Sequence, residues 1–186
     1  VEKAEGHIDT GILGAKYLLN GLLESGRADV AYQIASQKTL PSWGYWIENG
    51  ATTLYESWRD TDSRNHIMYG DILAWMIKAL AGIVPEPEHP GFSHFTLKPY
   101  PVADLTFAKA EYRSIRGLIV SDWKREGTAF TWRVTIPANS TARVCVPSAG
   151  SATVLEGGKP LGDNSHLKVT GIQKGYVEME VESGTY

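Results

Sequence analysis

The segment VPEPEHPGF, residues 84–92, divides the chain into two parts with different sequence patterns. Its three prolines cannot continue a helix, because each proline fixes φ and lacks a backbone N–H donor. Before it, apolar residues recur at helical spacing; after it, short β-branched and aromatic runs alternate with polar residues. The pattern predicts an α+β, multidomain chain with a helical domain at 1–84 and an all-β antiparallel sandwich at 92–186.

Three helices are predicted in the first part. Residues 7–37 have the pattern of two helices in a hairpin, and Asp9 or Thr10 is placed to cap the first. A third helix is predicted to begin at Ser63 or Asn65 and to end at a glycine shortly before the proline-rich segment. The helical part therefore consists of few elements, joined by a long segment that has no clear helical period.

Seven short runs in the second part predict strands: FSHFTLKP, LTFAKAEYR, GLIVSDWKR, AFTWRVTIP, ARVCVP, ATVLEG and YVEMEVE. Residues 125–128 and 137–140 have the composition of hairpin turns. The lone cysteine, Cys145, lies in an alternating run, which indicates a buried, inert thiol in a strand. Short strands at this spacing are typical of a two-sheet sandwich.

Composition excludes several classes of partner. The net charge is -3 and the pI is about 6.0, so neither nucleic acid nor an anionic membrane surface is expected to bind. No apolar run approaches the length of a membrane span. We expect no cofactor and no metal, since metal-ligand spacings and glycine-rich phosphate loops are missing from the sequence. The first residues, VEKAEG, resemble neither a signal peptide nor a chain start, which predicts the C-terminal portion of a longer protein.

The long segment, residues 41–66, combines large aromatic side chains with carboxylates and one histidine. Aromatic rings offer flat faces to sugar rings, and carboxylates and imidazole accept and carry protons at glycosidic bonds. The combination therefore indicates a carbohydrate site. The alternative is that the aromatic side chains are core and the carboxylates are solvated.

Five side chains of this segment are candidates for acid–base chemistry: Glu48, Glu56, Asp60, Asp62 and His66. Glu56 lies between Tyr55 and Trp58, an apolar neighbourhood suited to a general base. Glu48 precedes Asn-Gly, a turn signal, so a solvated loop carboxylate is equally consistent with the sequence. His66 stands at a predicted helix start, where a capping role is the alternative to a role in substrate binding.

Several blocks of sequence, in order, carry a resemblance to a known family: HIDTG-ILG, PSWGYWIENGATTLYESW, RNHIMYGDILAWMIKALAGI, PGFSHFTLKPYPV and EGGKPL. Together they resemble the C-terminal end of a bacterial α-L-rhamnosidase of glycoside hydrolase family 78. The resemblance implies the end of an (α/α)₆ catalytic barrel followed by a β-sandwich. This order agrees with the order of helices and strands predicted from the residue patterns.

The resemblance also implies roles for individual residues. Glu56, in ATTLYESW, corresponds to the general base of the family, and His66 resembles its substrate-contacting histidine. Trp43, Trp46 and Glu48 belong to the same segment at the barrel mouth and are expected to bind substrate. No metal is implied.

Two departures from the family pattern affect this expectation. Tyr55 stands where many members have tryptophan, and the linker from Glu56 to Asn65 is short. The family's general acid lies in the first half of the barrel, which this chain does not contain. We therefore expect the C-terminal portion of an inverting α-L-rhamnosidase, inactive alone and completed by an N-terminal portion of the barrel. The alternatives are a non-catalytic carbohydrate-binding or scaffold fragment and a related (α/α)₆-barrel glycosidase for another sugar.

Overall fold

A computed structural model of the chain describes residues 4–148, 153–161, 166–173 and 175–186. Its helices precede its β-sheets, which confirms the predicted fold class. Contacts divide the chain into two compact units, Val1–Met76 and Ile77–Tyr186. This division falls within a helical segment, ahead of the proline-rich segment. The domain ranges 1–84 and 92–186 stay a prediction.

Among its described residues the first unit contains four short α-helices: α1 (Ile12–Glu24), α2 (Ala28–Ala35), α3 (Trp43–Glu48) and α4 (Asp71–Trp75). The first two form the predicted hairpin, and Gly26 turns the chain between them with φ of +74°. The spacing on α2 predicts an inward stripe of Val30, Ala31, Ile34 and Ala35; of these Ala31 and Ile34 are buried, together with Ala28, whereas Val30 and Ala35 are half-buried. No helix in the described part of the chain is both long and apolar enough to cross a membrane.

The predicted cap of α1 is wrong. Gly11 is the N-cap residue, and no side chain caps the helix. Thr10 instead gives its backbone carbonyl to the indole N–H of Trp58, at 2.8 Å. The start of α1 is therefore fixed by a contact from a distant part of the chain, which local sequence cannot indicate.

The predicted third helix is divided into three segments: a 3-10 turn at Ile67–Gly70, then α4, then a π-helix at Met76–Ala81. His66 caps the 3-10 turn, because its Nδ1 accepts a hydrogen bond from the Met68 N–H at 3.5 Å. Neither Ser63 nor Asn65 is the capping residue. The capping role considered for His66 is thus present.

The second unit contains eleven strands among its described residues: β1 (Ile83–Pro85), β2 (His94–Leu97), β3 (Phe107–Ser114), β4 (Gly117–Glu126), β5 (Ala129–Ile136), β6 (Thr141–Pro147), β7 (Leu155–Glu156), β8 (Lys159–Pro160), β9 (Leu167–Gln173), β10 (Tyr176–Val181) and β11 (Gly184–Thr185). One sheet has the order β1-β2-β6-β10-β9, and the other has the order β11-β5-β4-β3. The strands β7 and β8 form a separate ribbon. The pairing is antiparallel, as predicted, but β2 pairs with β6 in parallel.

The two large sheets share one core, to which alternate residues of each strand contribute. Phe95, Leu97 and Met179 of the first sheet pack with Ile119 and Val134 of the second, and all five are buried. A fully buried side chain of this type stabilises a fold by about 1.5–3 kcal/mol. The alternation that predicted strands therefore reflects a buried inner face.

One of the two predicted hairpin turns is confirmed. Residues 125–128 join β4 to its neighbour β5, and Gly127 adopts φ of +58° in the turn. Residues 137–140 instead lead from β5 in one sheet to β6 in the other, so the second hairpin prediction is wrong. The composition of a turn indicates that the chain changes direction. It does not indicate whether the strand that follows pairs with the strand before the turn.

The end of the π-helix is held by two side chains of β4. The Ser121 hydroxyl donates to the Ala81 carbonyl at 2.6 Å, and the Trp123 indole donates to the Leu80 carbonyl at 2.7 Å. The last carbonyls of a helix have no partner within it, so these bonds satisfy groups that would otherwise be buried and unpaired. Gly82 then turns the chain into β1 with φ of +82°.

We predict that Gly82→Ala destabilises the chain by about 3 kcal/mol, against about 1 kcal/mol for the control Gly127→Ala. Both glycines have positive φ, but a Cβ at Gly82 would clash with the backbone of Lys98 and Pro99, whereas no atom lies within 4 Å of a Cβ at Gly127. Urea unfolding of the two variants measures the difference. Equal losses would show that close packing at Gly82 contributes nothing.

We also predict that Cys145 is unreactive in the folded chain. The thiol is 1% exposed, and burial, followed by the charge of Glu178, raises its pKa from 9.0 to about 11. At pH 8 iodoacetamide should modify it at least ~100-fold more slowly than in urea, because both thiolate and access are reduced. Since the folded chain holds the proton more tightly, stability from this group is present below pH 9 and is lost as the pH rises towards 11. Rapid native modification at pH 8 would contradict this.

Candidate active site

Residues 53–66 form a loop, called here the Glu56 loop, whose two arms are joined by main-chain hydrogen bonds. The His66 N–H donates to the Leu54 carbonyl at 2.9 Å, and the Glu56 N–H donates to the Ser63 carbonyl at 2.8 Å. Both bonds cross between the two arms, although neither arm is a strand. The loop thereby holds Glu56 and His66, both predicted site residues, by neighbouring main-chain hydrogen bonds.

The Glu56 side chain is half-buried, and the main chain holds one of its oxygens. Its Oε2 accepts a hydrogen bond from the Ser63 N–H at 3.3 Å. A carboxylate fixed in this way has restricted rotation while it remains an acceptor, since each oxygen has more than one lone pair. The geometry suits a group that takes a proton from a bound water.

His66 has a defined tautomer when neutral. Because Nδ1 accepts from the Met68 N–H, the ring proton must lie on Nε2. His66 is only partly buried, so Nε2 can donate to a hydroxyl group of a bound molecule. Capping and substrate contact are thus compatible roles for the two ring nitrogens, and the contact with substrate stays a prediction.

Trp43 and Trp46 lie in the core of the first unit, with 6% and 3% of their surface exposed. The Trp43 indole donates to the Tyr69 carbonyl at 3.1 Å, and the Trp46 indole donates to the Trp58 carbonyl at 3.0 Å. This placement is the core alternative considered from sequence. In the described part of the chain both are packing residues. Their expected contact with a sugar stays a prediction.

Trp58 completes an aromatic cluster with Trp43, Trp46 and Tyr69. Its ring centroid lies 4.0 Å from that of Tyr69, 4.7 Å from that of Trp46 and 5.0 Å from that of Trp43. The Trp58 indole N–H donates to the Thr10 carbonyl, as described for the start of α1. Burial in the cluster raises the pKa of Tyr69, so its phenol stays protonated at neutral pH. The aromatic cluster packs against the Glu56 loop, to which Trp58 itself belongs.

Glu48 is the last residue of α3 and lies at the surface. Its side chain is 52% exposed and forms an ion pair with Lys38 at 3.0 Å. The helix itself was not predicted; Ser42 caps it by accepting from the Tyr45 N–H at 2.9 Å. A capping serine after a proline was the available signal, but a six-residue helix is too short to show a period.

The remaining acid–base candidates stabilise the tip of the loop. Asp60 binds Arg64 through both carboxylate oxygens, at 2.7 and 2.6 Å, and Asp62 accepts from the Thr61 hydroxyl at 2.9 Å. The Arg64 guanidinium lies 5.7 Å from the ring centroid of Tyr55, and the hydrogen bond to Asp60 raises the pKa of Arg64. Sequence reasoning missed Arg64, although its four-residue spacing from Asp60 was a usable signal.

The site contains acid–base groups and hydrogen-bond donors. No group of three or more His, Cys, Asp or Glu side chains in the described ranges could hold a metal ion. The arrangement of Glu56, His66 and the neighbouring aromatic cluster can activate a water and bind hydroxyl groups.

Comparison with known proteins identifies both parts of the chain. Residues 1–80 match the bacterial alpha-L-rhamnosidase 6 hairpin glycosidase domain, and residues 82–159 match the bacterial alpha-L-rhamnosidase C-terminal domain. An alpha-L-rhamnosidase of Streptomyces avermitilis is 34% identical over 159 residues, covering 80% of this chain and 15% of the relative. One of Formosa agariphila is 30% identical, covering 100% of this chain and 21% of the relative.

Solved structures give the same result. The structure of an alpha-L-rhamnosidase from Dictyoglumus thermophilum matches 99% of this chain and 21% of its own, with a TM-score of 0.88 and 36% identity. The Streptomyces avermitilis alpha-L-rhamnosidase complexed with L-rhamnose matches 99% of this chain and 18% of its own, with a TM-score of 0.85 and 30% identity. The chain spans about a fifth or less of the length of these relatives. The chain belongs to the bacterial α-L-rhamnosidase family, and it corresponds to the end of the six-hairpin domain and the C-terminal domain.

Proposed function

We propose that this chain is the C-terminal portion of an inverting α-L-rhamnosidase that hydrolyses terminal α-L-rhamnose from glycosides or polysaccharides, with Glu56 as general base. The observation that carries the proposal is the pair of main-chain hydrogen bonds across the Glu56 loop, which hold Glu56 and His66 in the same loop. The Streptomyces avermitilis structure, solved with L-rhamnose, supports the choice of sugar.

The proposed reaction is a single displacement. Glu56 takes a proton from a water while the water oxygen bonds to the anomeric carbon, on the face opposite the aglycone. The glycosidic C–O bond breaks, and a general acid from outside this chain protonates the departing oxygen. The product has inverted configuration. His66 donates its Nε2–H to a hydroxyl group of the sugar.

The other predicted binding residues have more distant roles in this proposal. Trp43 and Trp46 support the Glu56 loop from below, because their rings and indole N–H groups are used in packing. Glu48 remains at the surface beside Lys38, where its carboxylate can accept hydrogen bonds from a longer substrate. The proposed roles therefore predict a large loss of turnover for a Glu56 variant and a much smaller loss for a Glu48 variant.

An N-terminal portion of the barrel is the proposed partner of the first unit. Leu13, Tyr17 and Ile67 are 70%, 72% and 81% exposed. They line an open groove of about 330 Å³ together with Lys16 and Asp71. Apolar side chains concentrated in one groove indicate a surface that another element covers. Because the relatives are about five times longer than this chain, preceding helices of the same barrel are the proposed occupant.

We predict that the purified 186-residue chain does not hydrolyse aryl α-L-rhamnosides. Inversion needs an acid and a base about 6.5–9.5 Å apart, and only the base is proposed to lie in this chain. Release of a chromogenic aglycone from the chain, compared with the intact enzyme, measures this. Turnover by the chain alone would require an acid among Glu48, Asp60 and Asp62.

In the intact enzyme, Glu56→Gln should lower kcat by at least ~10²-fold with little change in KM, because water activation is lost while the sugar contacts remain. Glu48→Gln, the matched control, should cost much less. Azide needs no base, so added azide should restore turnover of the Glu56 variant and give a rhamnosyl azide of inverted configuration.

Two outcomes would contradict this assignment. Rescue of the Glu48 variant by azide, with an active Glu56 variant, would move the base to Glu48. An intact protein that binds rhamnose without hydrolysing any rhamnoside would favour the non-catalytic binding alternative.

A further inference from the structure

The attachment of the Glu56 loop to the rest of the first unit is uneven. Its tip is held by the Asp60–Arg64 ion pair, and the Arg64 side chain is 70% exposed. An exposed pair of this kind stabilises only weakly and is screened by salt. The loop also contains Trp58, a half-buried residue two positions after Glu56, whose ring belongs to the aromatic cluster.

Trp58 is fixed through both its side chain and its main chain. Its indole N–H donates to the Thr10 carbonyl at 2.8 Å, and its own carbonyl accepts from the Trp46 indole at 3.0 Å. Its ring lies within 5.0 Å of the rings of Trp43, Trp46 and Tyr69. The ring contacts restrict translation of the side chain, and the directional hydrogen bond restricts its orientation.

Glu56 lacks an anchor of comparable strength. Its side-chain bond to the Ser63 N–H is long, at 3.3 Å, and both partners lie within the same loop. The bond therefore fixes Glu56 relative to the loop but does not fix the loop relative to the first unit. The loop is joined to the rest of the first unit by the ring of Tyr55, whose centroid lies 5.3 Å from that of Trp46, and by Trp58, which adds hydrogen bonds to its ring contacts.

We infer that Trp58 is a positioning residue for the proposed base, and that its indole N–H bond to the Thr10 carbonyl sets where the Glu56 carboxylate stands. This inference rests on the proposed function of Glu56. A phenylalanine can fill most of the ring site but has no N–H, so the loop loses the bond to the Thr10 carbonyl and keeps its apolar contact and the bond from the Trp46 indole. Displacements of about 1 Å in a catalytic group can cost ~10²-fold in rate.

The test is Trp58→Phe in the intact enzyme. We expect kcat to fall about 10-fold or more while KM changes by less than about twofold, because the base moves and the sugar contacts stay. The matched control is Trp123→Phe, which removes another indole N–H from a backbone carbonyl, that of Leu80, in the second unit. It should lower Tm comparably and leave kcat unchanged.

Azide separates positioning from general loss of structure. Azide attacks the anomeric carbon without proton transfer, as the glycosidic bond breaks and the aglycone leaves with the proton of the acid. Azide should therefore raise the turnover of Trp58→Phe and give the inverted rhamnosyl azide, as for Glu56→Gln. It should not raise the turnover of the unsubstituted enzyme.

The outcomes distinguish this inference from the proposed function. If azide rescues Glu56→Gln but not Trp58→Phe, or if Trp58→Phe retains full kcat, Trp58 does not position the base. If azide rescues neither variant, the assignment of Glu56 as base fails. Should Trp58→Phe not fold, a benzothiophene analogue of tryptophan at position 58 removes the N–H alone and should give the same loss of kcat and the same rescue.

Discussion

Three of the four tryptophans of the first unit donate their indole N–H to a main-chain carbonyl, whereas the buried indole N–H of Trp75 has no partner among the described residues. Trp43 donates to Tyr69, Trp46 to Trp58, and Trp58 to Thr10. Each bond connects segments that are distant in sequence, and each satisfies a loop or turn carbonyl that regular structure would leave unpaired. A loop without helix or strand thereby acquires a fixed shape. The candidate site depends on this network, because the Glu56 loop has few other buried connections among its described residues.

In the second unit, side-chain donors also bind main-chain carbonyls, and there they hold the end of a helix. Trp123 and Ser121 donate to the last carbonyls of the π-helix, and Trp132 in turn donates to the Ser121 hydroxyl at 2.9 Å. These bonds stabilise a helix end without a side-chain cap of its own and fix β4 against it. Hydrophobic burial drives the sandwich together, since alternate residues of both sheets are apolar. The polar contacts then select one register between the helix end and the strand.

Periodicity in the sequence predicts those elements whose one face is buried over several turns or several alternations. The α1–α2 hairpin and the strands β3 to β6 are of this kind. The short helix α3 and the strand β1 are not, because they are brief and β1 contains a proline. The resemblance to the family implies that Glu56 and His66 are site residues. The resemblance could not indicate which carbonyl groups accept hydrogen bonds from their main-chain N–H groups. Every residue has a carbonyl group, and the sequence does not show which one is used.

Because side chains of β4 bind the end of the π-helix, they also limit how this C-terminal domain can be exchanged between proteins. A C-terminal domain cut out at the proline-rich segment would lose β1 and expose the edge of β2 to pairing with other chains. It would also leave the donors of Ser121 and Trp123 in the core without their carbonyl partners. The transferable module begins at Ile77, within the helix. A crossover between family members that preserves both folds must therefore keep the end of the last barrel helix together with the sandwich.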